Sequence, residues 1–224
     1  MPTYDRAAQI AAVSTTIQTN DNNIGCTGWK SGAPNNGFGR TWPANLKVNN
    51  TSSSAYEIGS SCAITLSGNV YIAGTGGLKL DGGLTINVAE GLSTPPVILV
   101  DGPVNYGAGV HVNENSSHIS VEFISFCSKS SANATCAVPS SSLTGTALYN
   151  SSQQTTVTVG GGGQAPGATF WAYWGKLEMD GSGTMGSAIA QSIHMSGGAS
   201  VTFGTQLAVN QQTWTIRSYQ RVFQ

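Results

Sequence analysis

The sequence predicts an all-β fold, a right-handed parallel β-helix (β-solenoid) with a short N-terminal helix or cap; an antiparallel β-sandwich is the alternative. Three observations predict it. From Leu46 onward, short runs alternate apolar and polar residues, each separated from the next by Gly, Ser or Asn. Alternation places the apolar side chains on one face of a strand. Near the C-terminus, Leu177, Met185, Ile193 and Val201 recur eight residues apart. The 29 glycines are spread along all 224 residues, which argues for many tight turns rather than one flexible linker. Strands this short bury little in a hairpin, but in a solenoid each coil covers the next. Right-handedness is the default for parallel crossovers.

Residues 1–43 read as an N-terminal cap or linker, and residues 44–224 as a single solenoid domain. Within the cap, Ala7, Ala8, Ile10, Ala11 and Ala12 suit about two helical turns; Val13, Thr15, Thr16 and Ile17 then favour an extended chain. Residues 21–43 form a loop punctuated by Gly25, Gly28, Gly32, Pro34, Gly37 and Gly39. Trp29 and Trp42 in this loop are expected to cover one end of the core.

The strands follow: Ile64-Thr65-Leu66, Val70-Tyr71-Ile72, Leu78-Lys79-Leu80 and 84–88. Residues 96–100, Pro-Val-Ile-Leu-Val, are apolar throughout and predict a central strand. The run from Ile119 to Phe126 alternates less strictly and carries Glu122. Residues 127–142 form a Ser, Ala and Asn excursion, and Gly160 to Gly163 a mobile loop before Thr169. In the eight-residue repeat, each unit reads as one strand plus a Gly turn, one face of a coil. Three such faces make a coil of about two dozen residues.

The cysteines are Cys26, Cys62, Cys127 and Cys136, with no CxxC pair, and there are only three histidines. That pattern fits a structural zinc site poorly. An even count reads as two disulfides and an oxidising compartment. Three pairings exist; local loop closure favours Cys26–Cys62 and Cys127–Cys136. Charged residues make up 8% of the chain with a net charge of -1, against about 25% in an average globular chain. No basic run offers phosphate contacts, so nucleic acid is not expected as a partner. Near-neutral charge gives little repulsion between copies. No segment reaches the length of a membrane span.

Catalytic patterns are sparse. His111 and His194 sit in alternating strands on the polar side, His118 follows a Ser-rich turn, and no Gly-x-Ser-x-Gly elbow occurs. Paired carboxylates for glycoside hydrolysis would have to come from Asp81, Asp101, Glu178 and Asp180. Glu178 and Asp180 share the outward side of one strand, while Asp-Gly at 81 and 180 reads as a turn signal. The expectation is no enzymatic activity, no cofactor and no metal. Candidate interface aromatics are Trp29, Trp42, Trp171, Tyr173, Trp174 and Trp214. Thr155, Thr156 and Thr158 form a local Thr cluster, a fragment of what an ice-binding array would need. Asn49, Asn50, Asn115, Asn133 and Asn150 each head an Asn-x-Ser/Thr pattern.

Several stretches carry a family resemblance. They are 97–104 (Val-Ile-Leu-Val-Asp-Gly-Pro-Val), 168–183 (Ala-Thr-Phe-Trp-Ala-Tyr-Trp-Gly-Lys-Leu-Glu-Met-Asp-Gly-Ser-Gly), and 185–199 (Met-Gly-Ser-Ala-Ile-Ala-Gln-Ser-Ile-His-Met-Ser-Gly-Gly-Ala). The ending 213–221 (Thr-Trp-Thr-Ile-Arg-Ser-Tyr-Gln-Arg) belongs with them. Together they resemble the C-terminal β-solenoid region of PilX-like type IV pilus assembly (pilin-like) proteins, over residues 40–224. The long apolar N-terminal helix of such proteins does not occur in this sequence. The resemblance implies an extracellular or cell-surface bacterial protein, structural or adhesive, pilus-associated or self-assembling into filaments. Its implied partners are copies of itself or pilus subunits. The alternative is a carbohydrate-binding or carbohydrate-active β-helix, with surface glycans as partners.

Overall fold

The computed structural model describes residues 3–18, 40–59 and 62–201. Every ladder between its sixteen strands is parallel, and the strands form one sheet. That excludes the antiparallel sandwich and makes the fold a parallel β-helix. The chain visits three faces in turn. The first face stacks β1 (Thr15–Gln18), β3 (Leu46–Asn49), β6 (Val70–Ala73), β9 (Val97–Val100) and β12 (Glu122–Ser125). The second stacks β4 (Tyr56–Ile58), β7 (Leu78–Leu80), β10 (Val104–Tyr106) and β13 (Thr155–Val159). The third stacks β2 (Arg40–Trp42), β5 (Ala63–Leu66), β8 (Thr85–Val88) and β11 (His111–Asn113). The long strands β14 (Gln164–Met179) and β15 (Thr184–Met195) each run across all three, and β16 (Ser200–Val201) adds to the third. β1 and β2 belong to these ladders, so the solenoid reaches upstream of residue 44.

Alternation sends like residues inward in register. Leu46, Val70, Ile98, Phe123, Phe170 and Ala188 form one inward column. Phe123 and Phe170 stack at 4.8 Å, with Tyr106 edge-on to both. Each fully buried side chain of this size contributes roughly 1.5–3 kcal/mol. The interior tapers toward the C-terminal end. Register partners are 24 residues apart at Leu46 and Val70 but 16 apart at Leu177 and Ile193. A shorter coil encloses less volume, and alanines take several of its inward positions: Ala165, Ala168, Ala172 and Ala188.

This corrects the reading of the eight-residue repeat. Leu177 and Ile193 pair on the second face, whereas Met185 and Val201 pair on the third. One unit therefore spans half a coil, not one face. Gly160 to Gly163 is likewise a tight turn rather than a mobile loop. Gly160 N donates to Tyr106 O (3.0 Å), and Gly163 N to Gly160 O (3.1 Å). Gly161 takes φ 62°, which side chains other than glycine rarely tolerate. A Cβ at Gly163 would sit 2.7 Å from the Tyr106 ring.

From β6 to β12 the first face is buried on both sides. Outside it, Tyr71, Val97, Leu99, Ile124, Phe126 and Trp171 form a second apolar cluster. Helix α1 (Arg6–Ala11) brings Ile10, with Tyr4 and Val13 beside it, onto this cluster, and Val138 joins from the excursion. The Asp5 side chain caps α1 by accepting from Ala8 N at 2.8 Å. This double cover explains why 97–100 is apolar throughout. Between β12 and β13 the chain leaves the coil. Cys127 and Cys136 are disulfide-bonded with Cα atoms 5.2 Å apart, and α2 (Gly145–Ser152) leads back. Cys62 is also disulfide-bonded; Cys26 lies outside the described residues.

Candidate functional site

A β-helix offers function on its outward side chains, and here the three faces differ in chemistry. The first is covered by α1 and by the start of the excursion. Asp101 ties the helix down: Arg6 donates to it from Nε (3.0 Å) and Nη2 (2.7 Å), and the Tyr71 hydroxyl at 2.5 Å. Gln9 Nε2 adds bonds to Val70 O (2.9 Å) and Val97 O (3.4 Å). Asp101 therefore clasps the helix to the first face.

The second face carries the charges. Glu57, Lys79, Asn105, Thr158, Glu178 and His194 occupy one outward column. Lys79 reaches Glu57 (2.5 Å) and Asp81 (3.0 Å), and these two partners raise its pKa. Glu178 accepts from Thr155 Oγ1 at 2.7 Å and lies 3.7 Å from Lys176 and 3.4 Å from His194. The Thr155 hydrogen bond, aided by Lys176 and His194, holds its carboxyl below the usual range. A carboxylate kept ionised in this way suits an ion-pair ladder better than a general acid.

The third face is neutral. Its first outward column reads Ala63, Thr85, His111, Gln164, Thr184 and Ser200. The second reads Thr41, Thr65, Asn87 and Asn113. Cross-rung bonds hold it: Asn113 Nδ2 to Asn87 Oδ1 at 2.9 Å, and Thr184 Oγ1 to Gln164 Oε1 at 3.2 Å. Neither column contains a Lys, Arg, Asp or Glu.

The candidate aromatics separate. Trp42 is inside the core, 1% exposed, because β2 alternation turns it inward. Trp171 is buried under Tyr4, at a ring distance of 6.2 Å. Tyr173 is half-buried and stacks on Phe126 at 4.3 Å, and Trp174 is half-buried edge-on to Tyr173. Trp29 and Trp214 lie outside the described residues. Of the three clustered threonines, Thr156 is buried and Thr155 is engaged with Glu178, so they form no exposed array. His111 is exposed on the third face, and His118, at φ 58°, lies 3.4 Å from Glu114. Among the described residues no three His, Cys, Asp or Glu cluster as metal ligands would. Asn50 and Asn115 are buried, with their amides bonded to carbonyls, whereas Asn133 is exposed within the disulfide loop. The α1 clasp and the neutral columns escaped sequence reasoning. Both depend on which residues the coils bring into register. Comparison of the chain with known protein families, curated proteins and solved structures returns no match.

Proposed function

We propose that this chain is a structural and adhesive surface module, acting through the surfaces it displays rather than through turnover. The observation that carries this reading is the sorting of its outward faces along one continuous parallel ladder. One face is covered, one bears paired charges, and one bears a neutral hydrogen-bonding array. A sheet with side chains locked in register presents such arrays with little entropy to lose on contact. The Cys127–Cys136 disulfide supports an oxidising, extracellular setting. Among the described residues no helix is long and apolar enough to cross a membrane. Association with a pilus, and copies of itself or pilus subunits as partners, rest on the resemblance of 97–104, 168–183, 185–199 and 213–221 to pilin-like proteins.

The test joins adhesion and imaging. Beads coated with the chain should adhere to cell or glycan surfaces, and negative-stain microscopy under non-reducing conditions should show filaments or discrete particles on such surfaces. Measurable turnover of any polysaccharide by the purified chain would overturn the reading in favour of a carbohydrate-active enzyme. Failure of the coated beads to adhere to any surface, with no filaments seen, would overturn it as well.

A further inference from the structure

We infer that the third face is a binding surface for a neutral polysaccharide, an assignment that rests on the adhesive reading and locates it. Sugar hydroxyls donate and accept, so a surface that binds them needs both kinds of group side by side. Thr hydroxyls and Asn or Gln amides supply both. Here they stand in columns: Thr65, Asn87 and Asn113 on successive rungs, with Thr85, Gln164 and Thr184 beside them. The rungs repeat about every 4.8 Å, so a polymer of repeating units engages several at once. Weak contacts then add through effective concentration.

Charge selects the ligand class. The two columns hold no Lys or Arg to attract an anionic polymer and no Asp or Glu to desolvate against a neutral one. The other faces compete poorly. The first lies beneath α1, tied by Arg6 and Asp101. On the second, Lys79 and Glu178 are already engaged by neighbouring rungs. The array is also organised before any ligand arrives, through the Asn113–Asn87 and Thr184–Gln164 bonds. An ice surface would want an unbroken grid of Thr, and here His111, Asn87 and Gln164 interrupt the threonines.

The experiment is cosedimentation of the full chain with insoluble cellulose, chitin and a β-1,3-glucan. The variant is Thr65→Arg with Asn113→Arg, both on outward positions, and the control is Thr158→Arg on the second face. The parent should pellet with at least one glycan. The double variant should lose at least about tenfold in affinity, the control less than about twofold, with both melting like the parent. An equal loss in the control, or unchanged binding in the double variant, would overturn the assignment. So would a parent that binds no neutral glycan, including one that shapes ice instead. Bead adhesion separates this failure from that of the wider reading. Adhesion that survives the double substitution leaves the module adhesive and moves its site elsewhere. Adhesion absent in the parent removes both.

Discussion

Asp101 is 8% exposed and accepts from both Arg6 and Tyr71. Burial, then the hydrogen bond to Asp101, pushes the Tyr71 hydroxyl well above its usual range. Asp101→Ala would leave a guanidinium and a phenol without their acceptor and should destabilise by about 2 kcal/mol, read as a lower urea midpoint. Asp101→Asn should lose less. Two glutamates predict opposite pH behaviour. Burial against the α1 cluster raises Glu122, and Tyr4, raised to about 12 by its own burial and by the Glu122 and Asp5 charges, lies close by. The folded state therefore holds the Glu122 proton above the pH at which the unfolded chain releases it. Its contribution is complete below the ordinary glutamate range and is lost as pH rises through the raised value. Glu178 is lowered by Thr155, Lys176 and His194, so its contribution exists above the ordinary range and is lost as pH falls. Glu122→Gln should thus raise Tm at pH 8 and leave it unchanged at pH 4. Glu178→Gln should lower Tm at pH 8 and converge with the parent in acid.

At the scale of elements, α1 has six residues, too few to be helical alone in water. Packing of Tyr4, Ile10 and Val13 on the first face makes it helical. Ile10→Asp should release it from the sheet, increase binding of a hydrophobic dye, and speed amide exchange in α1 while the coil interior stays protected. The excursion is a second separable element. The Cys127–Cys136 bond spans a sequence separation of 9, and closing a loop of that size stabilises by about 2.5 kcal/mol on the chain-entropy account. Reduction should raise exchange in 128–152 more than in β12 or β13, which remain held by their own ladders.

Across the whole molecule, every coil is held by the coils beside it, so stability is approximately a sum of neighbouring interfaces. Phe170 lies toward the C-terminal end of the inward column, stacked on Phe123 and followed by Ala188. Phe170→Ala should therefore cost about 3–5 kcal/mol, since neither rung can move inward to refill the space. A molten or multi-step urea transition in that variant would mark the boundary between the wide N-terminal coils and the narrow C-terminal ones. The neutrality of the third face makes a further prediction. Glycan binding there should change little between low and high salt, whereas a contact made through the ion-paired second face would weaken as screening increases.

Much of the architecture was legible in local pattern. Alternation in 64–66, 70–72 and 84–88 is legible from a few neighbouring residues, and the alanine-rich run from Ala7 to Ala12 marks where packing then completes a helix. The apolar run 97–100 announced a central strand, and the Cys127–Cys136 pair closes a local loop. The sequence by itself determined the class of fold, because a strand's period of two and the placing of Gly turns are properties of a few consecutive residues. Tertiary structure alone decided what those strands present. Register places Asn113 on Asn87, Arg6 against Asp101 and Glu178 between Lys176 and His194, and register depends on coil length. The coil shortens from 24 to 16 residues as its interior fills with alanine and methionine. No fixed sequence period could reveal this, because the volume each coil must enclose is set by the coil before it.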